Sequence, residues 1–362
     1  METKQIIGGI NMFKAKNLLL LAILILFTFT LLGCSTDTSE PIKEPEENSP
    51  EHNGEEIVQE EPIDLKEIKA NEVGQIMILE WHVIGEKEGR WARTYENFRK
   101  DLETLYERGY RLVSLRDVLN NNISTEAGFT PVILTFDDGT SGHFRYIEKD
   151  GEMIIDPTCA VGILKEMNEL YPDFGLEATF FVNKYPIPFE QRAYWQDKVK
   201  EVIELGMDIG NHTVNHPKLN KLSQEEVAKE LALMVEMIEE VVPGYKMDTL
   251  ALPFGIKPQD INWAVQGEYQ GIDYHNIGVL DVGSTPMKSP VAKGYDPTLL
   301  PRVQVFGEGA EDNLLKWLDY FDKNPHLRYI SDGDPDTIAV PKDQEEKVDT
   351  SRIGEKELII YE

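Results

Sequence analysis

The stretch PVILTFDDGTSG, residues 131–142, places two adjacent carboxylates directly after an apolar run. The run from Val132 to Phe136 is rich in β-branched and aromatic residues, which is typical of a buried strand. Gly139 then ends the strand, because glycine adopts backbone conformations that other residues avoid. Asp137 and Asp138 would point to opposite faces of a regular strand, and we expect this turn to aim both at one opening.

Short apolar runs alternate with amphipathic stretches on both sides of this segment. The runs that predict strands are QIMIL (75–79), RLVS (111–114), ATFFV (178–182), MDIG (207–210), TLALP (249–253), YHNIGV (274–279) and RVQVF (302–306). Ser223 and Glu226 form an S-x-x-E capping box that predicts the start of a helix. Strands alternating with helices over about 250 residues predict a parallel α/β barrel, whose functional residues lie at the carboxyl ends of the strands.

Composition excludes several classes of protein. The formal net charge of −29 over 362 residues excludes a nucleic-acid-binding surface, which requires a basic patch. The hydrophobic fraction of 41% predicts a globular core. With only Cys34 and Cys159 present, disulfides cannot supply the stability of the fold.

The N-terminal residues resemble a bacterial lipoprotein signal. Lys14 and Lys16 precede an apolar run, Leu18 to Leu32, which ends at the sequence LLGC. The resemblance implies a signal peptide over 1–33, a lipid on Cys34 and attachment to the outer face of the cytoplasmic membrane. A transmembrane anchor is the alternative, although the run is shorter than the ~20 residues that a span usually needs.

The rest of the chain divides into three predicted parts. Residues 34–70 are acidic and rich in Pro and Glu, and we expect them to form an extended linker. Residues 71–335 contain the alternating strand and helix patterns of the barrel. Residues 336–362 form an acidic C-terminal extension.

His212 and His216 lie four residues apart, just after the predicted strand MDIG. This spacing equals one helical turn, so both imidazoles could bind one metal ion. One carboxylate of the Asp pair would complete a three-ligand site, and the other could remove a proton from water. A DDG turn without chemistry is one alternative, and a non-haem iron site of two histidines and one carboxylate is another.

The segments TFDDG (135–139), HTVNHP (212–217) and LPFG (252–255) resemble, in this order, the motifs of the polysaccharide deacetylases, a carbohydrate esterase family. The resemblance implies a distorted (β/α) barrel with seven or eight parallel strands. It also assigns site residues, by their numbers in this sequence. It assigns Asp137 as the general base. It assigns Asp138, His212 and His216 as ligands of a divalent metal, with zinc expected before cobalt or nickel. The backbone N–H of Phe254 would bind the oxyanion.

Two departures from the family pattern affect the predicted site. Ala251 stands where most members have an arginine that orients the base, and the L-x-H motif that usually supplies the acid is missing after RVQVF. Members resembling the biofilm poly-N-acetylglucosamine deacetylases share both departures and take the acid from a Tyr-His pair on the first strand. Here Trp81 and His82 occupy that position, so His82 is the candidate acid, with a core histidine as the alternative.

Two further residues have two interpretations each. Arg302 could orient Asp137 in place of the missing arginine, or form a surface ion pair. His143 could contact sugar, or be an exposed loop residue.

The family resemblance predicts removal of N-acetyl groups from amino sugars of an extracellular or cell-wall polysaccharide. O-acetyl esterase activity on a polymer such as xylan is an alternative, because the same metal chemistry cleaves esters. A non-catalytic sugar-binding lipoprotein is a second alternative, favoured by Ala251, and a solute-binding lipoprotein is a third. We expect an acetylated polysaccharide or oligosaccharide as partner; oligomeric state is not predicted.

Overall fold

The computed structural model describes residues 63–283 and 285–362. The predicted lipoprotein signal, Cys34 and most of the predicted linker lie outside the described residues. Within the described ranges, no helix has the length and apolar character needed to cross a membrane.

Eight parallel strands form the central sheet of the described part. They are β1 (Gln75–Trp81), β2 (Tyr110–Leu112), β3 (Thr130–Phe136), β4 (Thr179–Val182), β5 (Asp208–Asn211), β6 (Thr249–Ala251), β7 (Gly278–Leu280) and β8 (Val303–Gln304). Their order is β7-β6-β5-β4-β3-β1, with β8 on the other side of β1 and β2 beside the first residues of β3. A bridge between Leu280 and Leu300 joins β7 to the residues before β8 and closes the ring. The predicted distorted (β/α) barrel is confirmed.

Eight α-helices accompany these strands in the described part. They are α1 (Leu65–Ile68), α2 (Tyr95–Glu107), α3 (Leu115–Leu119), α4 (Ala160–Leu170), α5 (Trp195–Glu204), α6 (Gln224–Val241), α7 (Asn262–Val265) and α8 (Asn313–Lys323). The helix α1 lies inside the range that the sequence predicts as linker. The capping box of α6 is present, since Ser223 Oγ accepts from the Glu226 N–H at 3.3 Å and Glu226 Oε2 accepts from the Ser223 N–H at 2.8 Å.

Burial follows the pattern expected of a parallel sheet covered by helices. All seven residues of β3 are buried, as the continuous apolar run predicts for a strand with both faces covered. The apolar stripe of α6, including Leu231, Met234 and Ile238, is buried against the barrel. These contacts fix the strand ends that carry the polar residues.

The segment YHNIGV is not one strand, contrary to the sequence prediction. Ile272–His275 instead pairs with Gln266–Tyr269 in an antiparallel hairpin, and β7 begins only at Gly278. Asn276 causes the break, because its side-chain amide donates to the Ala264 carbonyl at 2.7 Å and turns the chain back to α7.

Smaller sheets lie outside the barrel. Tyr146–Lys149 and Glu152–Ile155 form a hairpin after β3, and Val83–Gly85 pairs with Ala92–Thr94 after β1. Met287–Lys288 pairs antiparallel with the first residues of β1. Thr337–Pro341 and Glu357–Tyr361, within the predicted extension, form a parallel pair that we call the C-terminal strand pair.

Candidate active site

A cleft of about 430 Å³ opens at the carboxyl ends of the barrel strands. Its lining follows five strands, β1, β3, β5, β6 and β7, and consists of His82, Val83, Trp91, Asp137, Asp138, His212, His216, Phe254 and Val282. All six residues that the family resemblance assigns to metal binding or catalysis are therefore brought together here.

The Asp pair owes its geometry to two left-handed residues. Asp138 has φ 74° and Gly139 has φ 56°, so the regular alternation of β3 ends at Asp137. Asp137 is buried at 1% exposure, whereas the side chain of Asp138 is 36% exposed. The two adjacent carboxylates thus reach the same cleft at different depths, and the deeper one is kept from solvent.

Arg302 orients Asp137 through two parallel hydrogen bonds. Its Nη1 and Nη2 groups donate to Asp137 Oδ1 and Oδ2, both at 2.7 Å. Its Nε donates to the Asp281 carbonyl at 2.8 Å, and the side chain is fully buried. A surface ion pair is therefore excluded. The guanidinium contact that Ala251 cannot supply from β6 comes instead from the residue preceding β8.

The buried guanidinium determines the charge of Asp137. Burial opposes ionisation of this carboxyl, but Arg302 outweighs burial and holds the pKa of Asp137 well below its usual range. The carboxylate is therefore ionised at neutral pH and available to accept a proton.

His212 and His216 meet Asp138 through a loop and not through a helical turn, which corrects the expectation from their spacing. Thr213 and His216 both have positive φ, 67° and 53°, so the chain between the histidines is folded back. The Nε2 atoms of His212 and His216 lie 3.5 Å and 3.6 Å from Asp138 Oδ1. Potential ligand atoms of these three residues all lie within 4.8 Å of one another.

The hydrogen bond that His212 makes through Nδ1 is typical of a metal-binding histidine. Its Nδ1–H donates to the Ala251 carbonyl at 2.8 Å, so Nε2 is the ring nitrogen that lies beside Asp138 and can bind a metal. Such a bond fixes the tautomer and ring orientation of metal-binding histidines. Two imidazole nitrogens and one carboxylate oxygen suit a zinc-like divalent cation. The residues present therefore fit the metal that the resemblance implies.

His82 lies at the edge of the cleft, directly after β1. Its side chain is 15% exposed, and its ring centroid lies 4.6 Å from that of Trp91, a half-exposed residue of the rim. Burial lowers the pKa of His82, although the carboxylates of Asp137 and Asp138 act in the opposite direction. The position is compatible with a proton donor to a bound substrate and is not that of a core histidine.

His143 is fully buried, which corrects both interpretations made from the sequence. It does not line the cleft, and its ring Nε2 contacts the carbonyl of His82. A carbonyl only accepts, so Nε2–H is the donor. Burial lowers the pKa of His143 to about 4, so the ring is neutral at physiological pH. Its contact is with the backbone of His82, and a polymer in the cleft cannot reach it.

Phe254 lies in the third motif with the left-handed backbone angles φ 59° and ψ 12°. Its ring is 55% exposed and packs edge-on against His216, with ring centroids 4.4 Å apart. The backbone of the residue after Pro253 is thus held at the cleft beside a candidate metal ligand.

Glu80 is a site residue that the sequence analysis did not select. Its carboxylate is fully buried and lies 3.5 Å from His82 Nδ1 and 3.3 Å from Arg302 Nε. A usable signal was present, because an acidic residue between Leu79 and Trp81 interrupts an apolar strand and precedes His82 by two positions.

Comparison with known proteins identifies similar sequences and similar solved structures. The family model described as polysaccharide deacetylase matches residues 125–271. YxkH of Bacillus subtilis, provisionally named a polysaccharide deacetylase, is 22% identical over 222 residues, covering 60% of this chain and 71% of that protein. A Bacillus cereus peptidoglycan-N-acetylglucosamine deacetylase is 27% identical over 144 residues, covering 40% of this chain and 43% of that protein, less than half its length.

Among solved structures, the Streptococcus pyogenes deacetylase PplD in complex with acetate resembles this chain with a TM-score of 0.51. The sequences are 20% identical, and the match covers 67% of this chain and 97% of PplD. At this identity the likeness concerns the fold alone, and it agrees with the distorted barrel described above.

Proposed function

The chain contains a domain of the polysaccharide deacetylase family, and from this premise we propose that it is a metal-dependent hydrolase of acetylated sugar polymers. Its substrate is an N-acetylated amino sugar in an extracellular or cell-wall polysaccharide. The observation that carries this proposal is the convergence of Asp138, His212 and His216 beside the Asp137–Arg302 pair. The similarity to a peptidoglycan-N-acetylglucosamine deacetylase supports the choice of an N-acetyl group.

Asp138, His212 and His216 would hold the divalent cation, with zinc preferred and cobalt or nickel as substitutes. When bound, such a cation polarises water and the acetyl carbonyl. The contact of His212 with the Ala251 carbonyl supports this assignment, because it places the proton of the neutral ring on Nδ1 and reserves Nε2 for the metal.

Asp137 removes the proton from the attacking water in this mechanism. A general base must be ionised and must be held still, and Arg302 provides both conditions through its two 2.7 Å hydrogen bonds. This contact also removes the feature that favoured a non-catalytic sugar-binding protein, namely the lack of an arginine at Ala251.

Two further groups act on the charges that form as the amide bond breaks. The backbone N–H of Phe254 donates to the oxyanion of the tetrahedral intermediate. His82 donates a proton to the departing sugar nitrogen, because without it the nitrogen would leave as a strongly basic amide anion. Both residues line the cleft, which supports these roles.

Acetate release tests the proposed function. The full-length chain, purified in detergent, is incubated with N-acetylglucosamine oligomers, with and without added zinc or cobalt. We expect metal-dependent release that Asp138→Ala abolishes. Release only from O-acetylated xylan would favour the esterase alternative. Retained oligomer binding without acetate from either substrate would favour a sugar-binding protein.

We also propose that Cys34 carries lipid and holds the chain at the outer face of the cytoplasmic membrane. The proposal rests on the apolar run and the LLGC sequence alone. Labelled palmitate should be incorporated into the wild-type chain and not into Cys34→Ser, and incorporation by both would contradict it.

A further inference from the structure

Glu80 is the penultimate residue of β1, and His82 follows the strand directly. Its Oε1 is 3.5 Å from His82 Nδ1, and its Oε2 is 3.3 Å from Arg302 Nε. The carboxylate therefore stands between the residue that orients the base and the candidate acid. A shift of about 0.5 Å brings Oε1 and Nδ1 to hydrogen-bond distance.

The packing of Glu80 is unfavourable for a purely structural residue. In the described part of the chain, both of its carboxylate oxygens are buried without a hydrogen-bond partner. A buried polar group that lacks hydrogen bonds destabilises a fold, and the Arg302 charge 3.3 Å from Oε2 offsets only part of this cost. An unsatisfied carboxylate beside a cleft indicates a partner that it meets during the reaction.

The neighbouring charges identify His82 as this partner. Arg302 gives both Nη groups to Asp137, and its Nε already donates to the Asp281 carbonyl. Two buried carboxylates thus share one guanidinium, and a proton on His82 would balance the remaining negative charge. Burial raises the pKa of Glu80 to about 7, with Arg302 opposing the shift.

We propose that Glu80 is a positioning residue that accepts a hydrogen bond from His82 Nδ1–H and thereby directs His82 Nε2 into the cleft. This inference rests on the proposed function, because it assigns Glu80 to the proton donor of that reaction. The polar groups of the site then form two pairs. Arg302 and Asp137 form the base arm, and Glu80 and His82 form the acid arm. Protonation of the leaving nitrogen depends on the second arm.

A comparison of leaving groups tests this division. An amine must be protonated to leave, whereas p-nitrophenolate leaves from p-nitrophenyl acetate without a proton. We expect Glu80→Gln, which keeps the side-chain volume, to lower kcat on N-acetylglucosamine oligomers by at least about tenfold. KM for the oligomer and turnover of p-nitrophenyl acetate should change by less than about twofold. His82→Gln should show the same selectivity, and the double variant should lose little more.

Two controls keep the result specific. Arg302→Lys acts on the base arm and should lower turnover of both substrates. Zinc binding and a thermal melt report the integrity of Glu80→Gln, and Glu80→Met provides a second variant of similar size.

If Glu80→Gln lowered kcat equally on both substrates, the proposed role of Glu80 would be overturned. Oligomer turnover equal to that of an active wild-type enzyme would also overturn it. A wild-type chain without activity on the oligomer would refute the proposed function and this role together, so the two failures are distinguishable.

Discussion

Glu72 and Glu80 are buried carboxylates at opposite ends of β1, and their surroundings differ. Glu72, just before the strand, accepts hydrogen bonds from the Tyr329 hydroxyl at 2.8 Å and the Ala339 N–H at 3.0 Å. Glu80, near the other end, is without a hydrogen-bond partner among the described residues. The first tethers the C-terminal strand pair, whereas the second faces catalytic neighbours. The two carboxylates thus differ in hydrogen-bond satisfaction, and only Glu80 has the proposed positioning role.

Backbone conformation at the cleft adds to this difference. Asp138, Thr213, His216 and Phe254 all have positive φ, between 53° and 74°. Each such residue is destabilising by about 1 kcal/mol or more, and such strain concentrates at functional sites. The backbone conformations that orient the polar groups at the open end of the barrel therefore lower the stability of the fold.

The largest expected effect comes from the base. Asp137→Asn should lower acetate release by about 10³-fold or more, because the amide cannot accept the proton. Zinc binding, followed by calorimetry, should be retained, since Asp138, His212 and His216 are unchanged. Asp138→Ala is the matched control and should lose both activity and metal. Full activity in Asp137→Asn would show that another group is the base.

Arg302→Lys should lower kcat by about ten- to a hundredfold, because lysine cannot form the paired hydrogen bonds that fix Asp137. Steady-state kinetics on the oligomer and on p-nitrophenyl acetate measure this loss. Wild-type kinetics in this variant would mean that orientation of the base does not depend on the guanidinium fork.

Glu72 should affect the pH dependence of stability and leave activity unchanged. Burial raises its pKa to about 8, with Asp332 adding to the shift, whereas the unfolded chain titrates near 4.5. Between these values the folded state holds the extra proton, so the free energy of unfolding falls as pH rises, by at most about 1.4 kcal/mol per pH unit.

Thermal melts of wild type and Glu72→Gln between pH 5 and 8 measure this contribution. The amide does not titrate, so the stability of Glu72→Gln should fall less steeply with rising pH than that of the wild type. Acetate release should stay at the wild-type level. Parallel curves for the two proteins would show that the Glu72 proton is not linked to folding.

The smallest effect is expected at the capping box of α6. Ser223→Ala should destabilise the fold by about 1 kcal/mol through loss of the N-cap. The corresponding drop in Tm is about 2 °C for a domain of this size, without a change in kcat. Ser223→Asp keeps a capping oxygen and should melt like the wild type. An equal drop in both variants would argue against the cap.

Local patterns were sufficient to predict most of the fold. The apolar run of β3, the capping box at Ser223 and the alternation of strands with helices each depend on neighbouring residues. Strand propensity does not predict the break inside YHNIGV. The break involves a hydrogen bond from Asn276 to Ala264, and propensities do not include such tertiary contacts.

The candidate site was only partly predictable, for the same reason. Asp137, Asp138, His212 and His216 stand in compact motifs, whereas Arg302 reaches Asp137 across 165 residues. The burial of His143 and the left-handed turn at Thr213 are set by packing, so their sequence spacing suggested an exposed loop and a helical turn instead.

The closure of the barrel has a further consequence for how the protein fails under stress. Arg302 stands beside β8, a strand of two residues, and one bridge between Leu280 and Leu300 joins this strand region to β7. Strands with so few backbone hydrogen bonds open by local unfolding before the rest of a domain. The arginine that keeps Asp137 in place is therefore carried next to the shortest strand of the barrel. In mild denaturant, inactivation should precede global unfolding, and amides around Leu300 should exchange with solvent before those of β3.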